Sequence, residues 1–266
     1  MKKLFSLFAT MAFLCACSGL PNEENNNGNS HEGNGNPEED VTARSLCPDD
    51  NHPHAIDLGI GLKWSCCNVG ASAPWEYGDY YAWGETEPYY SSQDPLIWKD
   101  GKTGYNEESY KWGKWENSYY KLTKYCPLSK TENWGGEGEP DGKTVLESGD
   151  DVAHVKSGGN WRMPTANELT ELMERCSWTW VTDYNGTGIN GRIVTATNGN
   201  SIFLPAAGLI SATEFSGVGS YCFYWSSSLN IDSPVKAKGI YFDSEHINLT
   251  GSTRYYYGRL VRPVSD

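Results

Sequence analysis

No apolar run in this chain of 266 residues reaches the roughly 20 that a helix needs to span a bilayer. Basic residues are in the minority, 21 Lys and Arg against 34 Asp and Glu, for a formal net charge of −13. A chain of that sign is repelled by nucleic acid and by anionic lipid surfaces, which excludes nucleic acid as a partner. The eight cysteines never take C-x-x-C spacing, so a zinc ribbon is not expected. There is no G-x-S-x-G elbow for a serine nucleophile. No internal repeat is visible either, which argues against a solenoid or propeller.

What is present begins at the N-terminus. Lys2 and Lys3 precede an apolar stretch from Leu4 to Leu14, the size of a signal-peptide core. "LCAC", Leu14 to Cys17, follows and resembles the bacterial lipobox, with cleavage before Cys17 and a lipid on that residue. Residues 1–16 are therefore expected to be removed, which takes the net charge from −13 to −15 with the loss of Lys2 and Lys3. Residues 17–46, rich in Asn, Gly and acids, have too few apolar side chains to offset the entropy of ordering. They are expected to form a disordered tether between the lipid and a single domain at 47–266. Glu23 and Glu24, shortly after the lipobox, faintly resemble a surface-export signal. The expected location is the cell envelope, as an outer-membrane lipoprotein with its domain at the surface.

Six cysteines remain after processing: Cys47, Cys66, Cys67, Cys126, Cys176 and Cys222. An even count in an exported chain permits disulfides, but the sequence does not select a pairing. Cys66 and Cys67 are adjacent, so on a strand at most one would point into a given core.

From about Ala55 the chain is rich in turns and rings, with 11 Trp and 17 Tyr in all. "LKWSCCNV", "RIVTAT", "SIFLPA", "CFYWSS", "KGIYFD" and "YYYGRLVRPV" read as short strands. Asn185-Gly186, Asn190-Gly191 and Asn198-Gly199 read as hairpin turns. One segment differs. In "GGNWRMPTANELTEL", Thr165 and Glu168 form a capping-box pattern after Pro164. Leu169, Leu172, Met173 and Cys176 then fall on one face of a helix over about 166–175. The fold class is α+β, an irregular antiparallel β core with one or two flanking helices and long loops.

Several motif matches fail on context. Gly186, Gly188 and Gly191 have dinucleotide-fingerprint spacing, but a strand follows instead of the helix that would meet a pyrophosphate. Gly138 to Thr144 is one residue short of a P-loop. Asp183, Asn185 and Thr187 begin like a calcium loop, yet Val194 stands where the bidentate Glu should be. The adjacent carboxylates Asp150 and Asp151 are the remaining candidate for calcium. His52 and His54, near Cys47, read as exposed residues at the tail's edge. No cofactor is otherwise expected.

The densest aromatic block runs from Tyr80 to Tyr125 and contains "YYAWGETEPYY" and "ESYKWGKWENSYYKLTKY". Aromatic faces stack on sugar rings, and interleaved Asp, Glu, Asn and Lys bond hydroxyls. Most of these rings are expected to fill a core poor in aliphatics, with a minority exposed. The candidates for ligand contact are Trp83, Trp98, Tyr110, Trp112 and Trp115.

The ordered series "DLGIGLKWSCCNVGA", "YGDYYAWGET", "TVLESGDDVAH", "GGNWRMPTANELTEL", "CSWTW", "NGNSIFLPAAG", "YWSSS" and "YYYGRLVRPV" resembles the Fibrobacter succinogenes major paralogous domain over about 55–266. That domain is common in lipoproteins of gut bacteria, so the resemblance implies a Bacteroidetes-type source. It is similar in turn to the sulfatase-modifying factor and C-type lectin-like fold. Arg162, Met163, Pro164 and Thr165 match the helix start of formylglycine-generating relatives. Those relatives use a late thiol pair for copper; here Cys222 is the only late cysteine. A related branch uses three histidines for iron, whereas only His154 and His246 occur after residue 60. Of the lectin calcium motifs only Glu139-Pro140-Asp141 is superficially close. The resemblance therefore implies a non-catalytic, lipid-anchored envelope module that contacts a glycan or protein. The alternatives are an accessory subunit of a surface assembly and a divergent metal-dependent oxidase.

Overall fold

The computed structural model describes residues 53–116, 119–127 and 141–266, all within one unit, Ala43–Asp266. The lipobox with Cys17, the tether, Cys47, His52, and Glu139 and Pro140 lie outside the described residues. In chain order the strands are β1 (Ala55–Asp57), β2 (Lys63–Ser65), β3 (Tyr90–Gln93), β4 (Leu96–Trp98), β5 (Gly113–Glu116) and β6 (Tyr119–Leu122). Helices α1 (Val152–Ser157) and α2 (Ala166–Arg175) follow, then β7 (Ser177–Val181), β8 (Gly191–Thr195), β9 (Ser201–Pro205), β10 (Leu209–Ser211) and β11 (Glu214–Ser216). The chain closes with β12 (Cys222–Leu229), β13 (Lys236–Phe242), β14 (Ile247–Arg254) and β15 (Val264–Ser265). Strands dominate and few residues are helical, in keeping with the α+β reading.

The strands make three three-stranded sheets, β1-β2-β15, β7-β8-β9 and β12-β13-β14, and three two-stranded hairpins, all antiparallel. The first sheet joins the two ends of the domain, since Trp64 of β2 pairs with Val264 of β15. Arg262 locks that junction. Its guanidinium donates to Asn68 Oδ1 at 2.8 Å and to the carbonyls of Ser65 (3.0 Å), Cys66 (2.8 Å) and Phe203 (2.8 Å). A buried cation satisfied this fully ties β2, β9 and the C-terminus together.

Helix α2 forms as its sequence predicts. Thr165 accepts from the Glu168 N–H while Glu168 accepts from the Thr165 N–H, which satisfies two end donors reciprocally. Arg162 braces Glu168 with two bonds of 2.9 and 2.7 Å. Leu169 and Leu172 are buried where α2 packs on β12, β13, β14 and β7. Helix α1 was not legible in advance. Asp151 caps it by accepting from the His154 N–H at 3.1 Å.

Two turn readings need correction. Asn198-Gly199 does turn β8 into β9, with Gly199 at φ +85° as a tight turn requires. Asn185-Gly186 belongs instead to a longer loop, residues 182–190, that joins β7 to its antiparallel neighbour β8. Asp183 and Asn185 take left-handed φ there, and Asn190-Gly191 closes it with Gly191 as the first residue of β8. "YYYGRLVRPV" is also not one strand. It touches Ile210, Tyr81, Tyr224 and Arg162 by single bridges, and only Val264–Ser265 is laddered. The segment threads between several elements, so no single neighbour pairs along its length.

The core is built from rings with polar handles. Trp83 Nε1 donates to the Ser226 carbonyl and Trp225 Nε1 to the Tyr81 carbonyl, each at 2.8 Å. Tyr80 Oη donates to Ala207 O (2.6 Å) and Tyr110 Oη to Trp83 O (2.9 Å). Irregular chain leaves backbone carbonyls without ladder partners, and these side chains supply the missing donors while filling volume.

Candidate functional site

Trp115 sits on β5 directly opposite Tyr120 on β6. The two rings meet edge to face at 5.4 Å, a cross-strand pair of the kind that stabilises hairpins. Tyr120 continues inward to Tyr255 at 6.5 Å, and Tyr255 stacks on buried Tyr110 at 4.3 Å. A series of rings thus runs from the core to the surface and ends on Trp115, which is 55% exposed. Gly113 makes room for it, because a Cβ there would lie 1.9 Å from Tyr120 Oη.

Trp115 borders an open groove of about 490 Å³ with Asn106, Glu107, Glu108 and Tyr256. That volume lies within the usual range for small-molecule sites. Arg254 pairs with Glu107 at 3.1 Å and lies 5.9 Å from the Tyr256 ring centre. Asn106 is fixed by accepting from the Ser109 N–H at 2.9 Å and donating to Thr103 Oγ1 at 3.1 Å. Burial, helped by a hydrogen bond to Glu107, pushes the Tyr256 hydroxyl up to about 12, so it stays neutral across the physiological range. The groove offers two ring faces, carboxylate and amide acceptors, and hydroxyl and indole donors. These are the groups that bind polyhydroxylated rings.

The other sequence candidates are placed differently. Trp83 and Tyr110 are buried and hydrogen-bonded, so neither presents a face to solvent. For these two the ligand reading gives way to packing. Trp98 is half-buried, edge-on to Tyr105 at 6.1 Å. Trp112 is half-buried and donates to Gly84 O at 2.9 Å, with Lys111 over its ring at 4.1 Å. Only Trp115 of the five reaches the groove.

Asp150 and Asp151 are both committed to the fold. Asp150 pairs with Lys124 and accepts from Tyr125 Oη at 2.6 Å. The oxygens of Asp151 accept from His154 N and Met163 N, at 3.1 and 2.8 Å. Burial raises the Asp151 carboxyl, and those N–H donors partly offset the rise. Among the described residues, no three His, Cys, Asp or Glu side chains gather as a metal-ligand set.

No disulfide joins two described cysteines. Cys126, Cys176 and Cys222 are free thiols, and burial pushes Cys222 up to about 12, which leaves it unreactive. Cys66 and Cys67 are both in the core, against the expectation for alternating strand residues. They lie beyond the end of β2, where alternation no longer applies. His54 stands 3.6 Å from Cys66 Sγ, His154 contacts Trp161 O, and His246 contacts Asp243.

Asn106, Glu107, Glu108 and Tyr256 were not singled out from sequence. Tyr256 lies some 140 residues from Trp115, and no local pattern links them. Among the described residues, no helix is long and apolar enough to cross a membrane. The family model described as the Lcl C-terminal domain matches residues 55–262. No curated protein and no solved structure matches the chain.

Proposed function

We propose that this chain, which belongs to the Lcl C-terminal domain family, is a lipid-anchored binding module of the cell envelope that takes a glycan in the groove at Trp115. The observation that carries this reading is a tryptophan ring 55% exposed, held in place by a hairpin partner and facing carboxylates and an amide. Large exposed rings are costly to leave in water, and a pairing of ring face with polar rim suits sugars, which have an apolar face and hydroxyl edges. The lipobox at Cys17 and the acidic tether supply the anchoring half of the proposal. The finer kinship, with the Fibrobacter succinogenes paralogous domain and a C-type lectin-like fold, belongs to the same proposal. So does the absence of catalysis. A glycan array probed with the protein, beside a pull-down from envelope extracts, tests it. Binding to glycans that is lost in Trp115→Ala supports the reading. Co-purification with envelope proteins and no sugar affinity would favour a subunit of a surface assembly instead.

A further inference from the structure

A second groove, of about 400 Å³, lies elsewhere on the domain. Its lining includes Trp75, Glu76 and Tyr77 from the loop between β2 and β3, Gln93 at the end of β3, and Thr187 and Ile189 from the loop between β7 and β8. The set repeats the chemistry of the first groove: one Trp, one Tyr, one amide and a carboxylate. Among the described residues, neither lining contains a lysine or arginine.

The polar groups here are held but not exhausted. The two hydrogens on Gln93 Nε2 are shared among Gly78 O (2.9 Å), Tyr90 Oη (3.0 Å) and Asp79 Oδ1 (3.3 Å), which fixes the amide and leaves its Oε1 as an acceptor. Glu76 accepts from the Ser72 N–H at 2.7 Å through one carboxylate oxygen, leaving the other available. Among the described residues neither the Trp75 indole N–H nor the Tyr77 hydroxyl has a partner in the protein. Gly70 and Gly78, which form part of the groove wall, have positive φ and no room for a side chain: a Cβ on Gly70 would lie 2.5 Å from Asp79 Oδ2, and one on Gly78 2.5 Å from Val69 O. Two half-exposed rings beside a fixed acceptor and free donors make a saccharide platform. A carboxylate with no lining cation disfavours an acidic sugar.

We infer that the Trp75–Tyr77 groove is a second binding site for the same ligand class, a neutral saccharide, so that one chain holds two. The inference rests on the glycan reading of the Trp115 groove. Two sites on one chain would raise the avidity of a surface module for a polysaccharide without any new contact.

Calorimetric titration of the full chain tests it, with neutral gluco-, manno-, xylo- and N-acetylchito-tetrasaccharides as probes and tetragalacturonate as the acidic control. The expected stoichiometry is near two for a neutral probe, falling to near one in Trp75→Ala and in Trp115→Ala. Trp75→Phe, which keeps a ring, should retain both sites. Tetragalacturonate should bind at least tenfold more weakly. A stoichiometry near one that Trp75→Ala leaves unchanged and Trp115→Ala abolishes would overturn the second site and leave the first standing. Failure of every neutral probe would remove both. Equal affinity for tetragalacturonate would overturn the assigned ligand class. The wild-type stoichiometry decides the matter even if Trp75→Ala does not fold.

Discussion

Trp83 and Trp115 lie in the same aromatic-rich stretch and serve opposite purposes. Trp83 is 1% exposed, donates to Ser226 O and meets Tyr125 edge-on at 5.1 Å. Trp115 is 55% exposed and keeps one cross-strand partner, Tyr120. Residue type does not separate them. The difference lies in where the backbone goes: Tyr80 to Trp83 run through the middle of the domain, whereas β5 and β6 form a hairpin at its surface. A high ring content in this chain therefore mainly reports how an irregular core satisfies its carbonyls. The rings left over at the surface are the ones with a claim on a ligand.

The strongest way to break that contrast is to remove the buried ring. Trp83→Ala should cost about 3–5 kcal/mol, read as a large fall in the denaturation midpoint, because it opens a cavity and strands the Ser226 carbonyl. A similar contrast divides two arginines three residues apart. Arg262 is fully hydrogen-bonded. Arg259 is buried between the rings of Phe223 and Trp225, at 4.1 and 4.3 Å, and among the described residues none of its three nitrogens has a hydrogen-bond partner. Arg262→Met should destabilise by about 3 kcal/mol or more, since it leaves several buried carbonyls without donors. Arg259→Met should be near neutral or stabilising, because it removes a charge that burial already disfavours. Paired urea melts would check both, and a larger loss at Arg259 would contradict this assignment.

The cap of α2 should show a smaller effect. Thr165→Ala should cost about 1 kcal/mol in the same melts. Glu168 has a pH signature as well. Burial works against its charge, but Arg162 and the Thr165 N–H outweigh that and hold its carboxyl below the ordinary value. A depressed folded-state carboxyl contributes stability that is present above its unfolded value and lost as pH falls through the folded one. The wild type should therefore lose stability below about pH 4, more steeply than Glu168→Gln does. The smallest effect on stability belongs to Trp115→Ala, expected within about 0.5 kcal/mol of wild type because the ring is largely in water.

How much could be read in advance follows the range of the interactions. Helix α2 was legible because its cap and apolar face lie within a dozen residues, from Thr165 to Cys176. The turn at Asn198-Gly199 was legible for the same reason. That most rings of the aromatic block fill the core was legible too, but which rings stay exposed was not. Tyr80, Tyr81, Ala82 and Trp83 are all buried, so there was no alternation to read. Asp150 and Asp151 resembled a ligand pair because the sequence hid Lys124, Tyr125 and Met163, the partners that engage them. Of the first groove only Trp115 was marked, and Tyr256 joins it through tertiary contact alone. The second groove is assembled from three separated segments and left no local trace.

The central claim is that the Trp115 ring is held at the surface for a ligand. The direct test is the affinity of the strongest neutral glycan from an array, measured for wild type and Trp115→Ala under one set of conditions, with thermal melts of both. The expected result is at least a tenfold loss of affinity, about 1.4 kcal/mol, with unchanged melting. Equal affinity in the two proteins would contradict the account.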